Sequence, residues 1–216
     1  MNNALIAKAK KHVITLLEEH TPENNYYHNS EHTKEVVKAC GTIAKGLKLS
    51  DSNIEIIKLA ALFHDLGYLE KIEGHEKISA KYAADFLAKE KYPASKINKV
   101  KGCILATKVP QNPKNILEKV LCDADLLHLG KPNFEPRNNM FRAEFEFYFG
   151  RALTEKEWLN KSIDFLCHHK FFTEFAIKKY EKRKLKNIAK LKDELNNYLT
   201  KKSRSKSVKK NSVKKK

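Results

Sequence analysis

The sequence predicts an all-α protein, a helical bundle followed by a basic, disordered C-terminal tail, and three observations carry that expectation. Apolar residues recur at three- and four-residue spacing along most of the chain. The seven glycines and six prolines are few and fall between the periodic stretches. No alternating strand pattern of useful length and no internal repeat is present.

The elements follow in order. In residues 3–20, Ile6, Ala9, Val13 and Leu16 share a face, and Thr21-Pro22 ends the run. A second helix covers 30–47, with Val36, Cys40, Ile43 and Leu47 inward. Ser52 with Glu55 reads as a capping box for a third helix that ends at Gly67. Further helices are expected over 75–90, 94–107 and 115–129, with loops at 108–114 and 131–139 and a short aromatic segment (MFRAEFEFYF) after the second loop. Thr154 with Glu157 caps a helix reaching Phe171. The last helix runs from Thr173 to Leu199, where Ile188, Leu191, Leu195 and Tyr198 form a narrow stripe. That stripe suits either sealing the core or pairing two chains.

At 216 residues the chain can bury one sizeable core, so residues 1–200 are read as one domain. Residues 201–216 hold nine Lys or Arg and no acid, leaving +8 of the formal +17 on residues 1–200. Such a block repels itself and reads as disordered, able to contact nucleic acid or an acidic surface nonspecifically. It lacks aromatic residues, which argues against base stacking. The four cysteines are far apart, without metal-ribbon spacing, and read as reduced buried thiols of a cytoplasmic protein. Lys8, Lys10 and Lys11 interrupt the N-terminal apolar run, which excludes a signal peptide, and no run approaches a transmembrane segment.

Chemistry concentrates on inward faces. His32 lies one turn ahead of Val36 on the core face of the second helix. Ile54, Ile57 and Ala61 set the inward face of the third, His64 continues it, and Asp65 follows, rotated by about 100°. Leu117, Leu121, Asp125 and His128 share a stripe on the sixth. A lone buried carboxylate costs several kcal/mol, roughly, unless a partner compensates. A metal ion does so by taking imidazole nitrogen and carboxylate oxygen together. Asp123 lies about 160° from Asp125 on the helical wheel, so it supports the site from behind or faces a neighbouring helix.

With Tyr27-His28-Asn29-Ser30-Glu31-His32, then His64-Asp65-Leu66-Gly67-Tyr68, then Asp123-Ala124-Asp125-Leu126-Leu127, the chain resembles the HD superfamily of metal-dependent phosphohydrolases, in particular small predicted members of one subgroup. Gly74-His75-Glu76, Ser79-Ala80, Ala106-Thr107-Lys108 and His169-Lys170-Phe171-Phe172-Thr173 extend the likeness over about residues 20–180. The resemblance implies His32, His64, Asp65 and Asp125 as ligands of one divalent ion. It implies His28 as a residue lining the site, either orienting His32 or contacting substrate. His75 matches a ligand of a second ion in dinuclear members, but Ala106 stands where those members carry a further His. Tyr68 stands where some nucleotidase-like members carry a Glu, so their general-acid arrangement does not transfer.

The mixed nitrogen and oxygen set favours Mn, Fe, Co, Ni or Zn over Mg. Asp65 can both ligate and accept a proton from water, as the catalytic base. Lys108, Arg142 and the pair His169 and Lys170 are, as a group, the candidate donors to phosphate oxygens. Three functions compete: hydrolysis of a phosphate ester of a nucleotide or related small molecule, cleavage of a cyclic or dinucleotide diester by the same ligands, and a noncatalytic metal-stapled binding module whose tail makes the contact. The intact ligand set argues against the third, and Ala106 argues against the second. Loops 68–74, 108–114 and 131–139 are expected to set specificity.

Overall fold

A computed structural model describes residues 1–213, with side chains described through Lys202. Nine α-helices and no strand are found among the described residues: α1 (Asn3–His20), α2 (Ser30–Gly46), α3 (Asp51–Phe63), α4 (His75–Lys89), α5 (Ala94–Ala106), α6 (Ile116–Asp125), α7 (Phe134–Tyr148), α8 (Glu155–His168) and α9 (Glu174–Val213). Short 3-10 turns, Leu66–Leu69 and Leu127–Gly130, follow α3 and α6.

Helix starts follow capping chemistry. The side chains of Asn2, Asn29, Ser50 and Asn115 accept from first-turn N–H groups of α1, α2, α3 and α6. Those groups have no carbonyl partner within the helix. Thr154 and Glu157 form the expected reciprocal capping box at α8. Ser52 does not cap α3: Ser50 does, and Glu55 is buried, accepting from the Asn2 N–H and the Tyr92 hydroxyl. The pattern of a capping box two residues inside the true start was misleading because Glu55 serves a tertiary contact.

Helices α1–α6 enclose the main core, in which Val13, Cys40, Ile43, Ile57, Phe63, Leu87, Ile104 and Leu121 are wholly buried. Each such side chain contributes about 1.5–3 kcal/mol relative to exposure. A second cluster, Leu129, Phe134, Leu159, Leu166, Ile188 and Leu191, joins the Leu127–Gly130 turn to α7, α8 and α9. The α9 stripe therefore seals this second core. Asp123 ties the two together: buried on α6, it accepts from the backbone N–H groups of Phe172 and Thr173 and from the Thr173 hydroxyl.

Several boundaries differ from expectation. The segment 131–139 is a loop only to Asn133, because α7 starts at Phe134. Pro136 sits in its first turn, where the missing N–H would have had no partner. The third and sixth helices end at Phe63 and Asp125, earlier than expected, each passing into a 3-10 turn. The backbone of α9 is helical from Glu174 to Val213. No Gly or Pro follows Gly150 to stop it, and Lys and Arg are good helix formers. The remaining tail residues 214–216 lie outside the described residues. Cys40, Cys103 and Cys122 are buried free thiols as expected, whereas Cys167 is exposed. No described helix is long and apolar enough to cross a membrane.

Candidate metal centre

Four side chains from three helix ends meet beneath the surface. Asn29 caps α2 through the N–H groups of Glu31 and His32, so His32 enters in the first turn and is buried. His64 continues the inward face of α3 and is fully buried. Its neighbour Asp65 leaves the helix, with φ −108° and ψ 5°. That departure lets two consecutive residues reach one point, which a continuous helix would separate by about 100°. Asp125 is the last residue of α6.

One ligand atom from each of His32, His64, Asp65 and Asp125 lies within 4.8 Å of all the others. His32 Nε2 stands 3.3 Å from Asp65 Oδ2 and 3.2 Å from Asp125 Oδ1. His64 Nε2 stands 3.0 Å and 3.6 Å from the same two oxygens. The two Nε2 atoms are 3.3 Å apart. His64 Nδ1 donates to the Ala61 carbonyl at 2.8 Å, so the neutral ring presents a lone pair at Nε2. Asp65 Oδ2 is buried and has no hydrogen bond of acceptable geometry. Two imidazole edges and two carboxylate oxygens converging on one point, one oxygen buried and orphaned, fit a divalent ion as their common partner.

The electrostatics carry the same strain. Burial pushes the Asp65 and Asp125 carboxyls up, but His64, His32 and, for Asp65, His75 outweigh it and hold both below the usual carboxylate range. Burial lowers His32 and His64, yet the two carboxylates raise both imidazoles overall.

The other expected residues are distributed unevenly. His75 donates from Nδ1 to the Ile72 carbonyl at 2.9 Å and sets Nε2 3.4 Å from Asp65 Oδ1. Gly67 makes this approach possible, since a Cβ there would lie 2.2 Å from the His75 carbonyl oxygen. Asp123 points elsewhere, to the segment before α9. His28 lies beside the cluster, its ring 5.9 Å from that of His32 and stacked on Tyr68 at 4.0 Å. His169 has both ring nitrogens buried without a partner, and burial followed by Lys184 brings its pKa down to about 4. Lys108 and Lys170 are exposed.

Arg142 departs from the expected role. Its guanidinium donates to Glu146, Glu155 and the Leu153 carbonyl. It lines a separate cavity of about 310 Å³ between α7, α8 and α9, whose walls include none of the four cluster residues. Two carboxylates in reach of one planar fork hold it there.

Sequence reasoning missed Glu144, the stacking of Tyr68 on His28 and the pairing of Tyr27 with His128. Tyr27 is buried, and its hydroxyl meets His128 Nδ1 at 3.0 Å. Burial, then the His32 charge, depresses His128 to about 3. Glu144 is buried on α7 and accepts from the N–H groups of Tyr27 and His28 and from His28 Nδ1. A signal existed: Glu144 shares its helical face with Phe141, Phe145 and Tyr148, an acid among apolar neighbours, just as Asp125 does.

Residues 29–130 match the family model described as HD domain. A search of curated proteins finds no match. Among solved structures, the chain is similar to a predicted HD superfamily hydrolase from an uncultured Thermotogales bacterium, at 19% identity and a TM-score of 0.60, over 87% of this chain and 92% of that one. It is similar also to the Lin1889 protein of Listeria innocua, at 21% identity and a TM-score of 0.60, over 91% of this chain and 98% of that one. At such identities these two speak for the fold. The family match spans all four clustered side chains, so the stretch that resembles an HD domain is the stretch that builds the site.

Proposed function

We propose that the protein is a metal-dependent phosphohydrolase acting on a phosphate ester of a nucleotide or a related small molecule. The observation that carries this reading is the convergence of His32, His64, Asp65 and Asp125 on one point from three helix ends. These four would hold one divalent ion, with Mn, Fe, Co, Ni or Zn suited to the two nitrogens and two oxygens better than Mg. Such an ion would polarise a phosphoryl oxygen and lower the pKa of water. Asp65 would take the water's proton, with His75 Nε2 standing 3.4 Å from its Oδ1. His75 supports Asp65 from that side, and with Ala106 supplying no imidazole, a single ion is the better account. His28, Lys108, His169 and Lys170 are the donors proposed for the phosphate oxygens. Arg142 is left out because its donors are already engaged.

The test is purification without added metal, element analysis, and phosphate release from monoesters, diesters and nucleotides with each candidate metal. One transition ion per chain and chelator-sensitive release from monoesters or nucleotides is the expected result. Release from diesters alone would favour the phosphodiesterase reading. Magnesium alone with no turnover on any ester would overturn the proposal.

A further inference from the structure

Glu144 has no place in the ligand cluster, yet its carboxylate is among the most heavily used in the molecule. It lies on α7, is 3% exposed, and reaches across to the turn that precedes α2. One oxygen accepts from the backbone N–H groups of Tyr27, at 2.8 Å, and His28, at 3.0 Å. The other oxygen accepts from His28 Nδ1. An ionised carboxylate only accepts, so Nδ1 carries the proton and the tautomer of His28 is fixed. Burial raises the Glu144 carboxyl, and the His28 contacts outweigh this and lower it.

The consequence falls on the other edge of the ring. Among the described residues His28 Nε2 has no hydrogen-bond partner, and the atom is not fully enclosed. The ring cannot swing away: Tyr68 stacks on one face at 4.0 Å with 13° between planes, and the edges of Tyr27 and Phe141 close in at 4.9 Å and 6.0 Å. The His32 ring is 5.9 Å from it. A ring locked in tautomer and orientation, with one open nitrogen beside the proposed ion site, is preorganised to meet a ligand there.

We propose that Glu144 is a positioning residue, which acts through His28 by holding Nδ1 protonated and aiming Nε2 at the phosphoryl group of the substrate. This rests on the hydrolase reading given above. The wall that α7 builds is then part of the working site, although none of its residues belongs to the ligand set.

The experiment compares Glu144→Gln, His28→Gln and the double variant in the full-length, metal-loaded protein, on whichever ester is best hydrolysed, and records ¹⁵N spectra of the histidine rings. Gln keeps the size and one acceptor of Glu144 but loses the charge that fixes the ring. Tyr148→Phe serves as a control on the same helix, since the Tyr148 hydroxyl donates to Asn25 and not to the His28 ring. Each single variant is expected to lose about 10–100-fold in kcat with unchanged metal content. The double variant is expected to be no worse than His28→Gln, and the control to be unaffected. The wild-type spectrum should show His28 in the Nδ1–H form, and Glu144→Gln a mixture. Losses that multiply in the double variant, or an unchanged His28 spectrum in Glu144→Gln, would overturn the proposal. If wild-type protein hydrolyses no ester, the hydrolase reading fails, while the spectra still decide whether Glu144 sets the His28 ring.

Discussion

Asp123 and Asp125 stand two residues apart on α6, and their carboxylates serve different ends of the molecule. Asp125 Oδ1 lies 3.2 Å from His32 Nε2 in the ligand cluster. Asp123 takes three hydrogen bonds from Phe172 and Thr173 and so fastens the start of α9 to the main core. One helix turn thus joins the candidate chemistry to the architecture that holds it.

The two should separate cleanly on mutation. Asp125→Asn is expected to abolish metal retention and hydrolysis while the fold persists. Asp123→Ala leaves the Thr173 N–H, which is buried, and the half-buried Phe172 N–H without their acceptor and is expected to destabilise the protein by about 3 kcal/mol, with the ligands still in place. Denaturant titration together with metal analysis of both variants checks this. Equal metal loss in both at temperatures where each stays folded would mean that Asp123 takes part in the site.

The pH dependence should reverse sign with metal. In the metal-free protein the carboxylates raise the His32 and His64 pKa values above the ordinary 6.5. A raised folded-state pKa stabilises below the unfolded value, and that gain is lost as pH climbs through the folded value. The metal-free protein should therefore lose stability as pH rises above about 6.5. A metal competes with those same protons, so its affinity, and the stability of the loaded protein, should rise over that range. Melting curves at several pH values with and without the bound ion give both slopes. Parallel slopes would mean that the ion does not displace those protons.

Much of the cluster was legible because periodicity and burial agree. His32, His64 and Asp125 sit on apolar stripes where a polar group demands a partner. Asp65 was harder, since a continuous helix would turn it away, and it reaches the site only because α3 ends at Phe63. The switch from α-helix to 3-10 turn depends on packing, including Gly67 against His75, and leaves no local pattern. Glu144 obeyed the same rule as Asp125, but its helix was obscured by Pro136, which reads as a loop residue until its first-turn position is known. Arg142 illustrates the opposite failure: an isolated cation cannot reveal from sequence which carboxylates will claim it.

Gly67 offers a test of that packing. A Cβ at this position would lie 2.2 Å from the His75 carbonyl oxygen and 3.0 Å from Ile78 Cβ. The first contact is with backbone, which yields less readily than a side chain end. Gly67→Ala is expected to cost about 3 kcal/mol and to shift α4, carrying His75 away from Asp65. Denaturant titration gives the cost, and the His75 ring resonances give the displacement. A neutral substitution would show that the close approach is absent in solution.

The basic end of α9 should be dispensable for hydrolysis. Past Leu191, no residue of α9 described with a side chain is buried, and Lys201 and Lys202 are exposed. Deleting 201–216 removes nine positive charges but no core contact that the structure describes, so stability should change by less than about 0.5 kcal/mol. Turnover of a small phosphate ester should be unchanged, because a small substrate gains nothing from a distant charge once salt screens it beyond about 8–10 Å. What should fall is salt-sensitive adhesion to polyanions, since counterion release scales with the phosphates that Lys and Arg neutralise. Kinetics and DNA retention of the truncated and full chains, over a series of salt concentrations, read the two effects separately. A large drop in kcat for the truncated chain would mean that the C-terminal residues reach back over the ligand cluster and belong to the site.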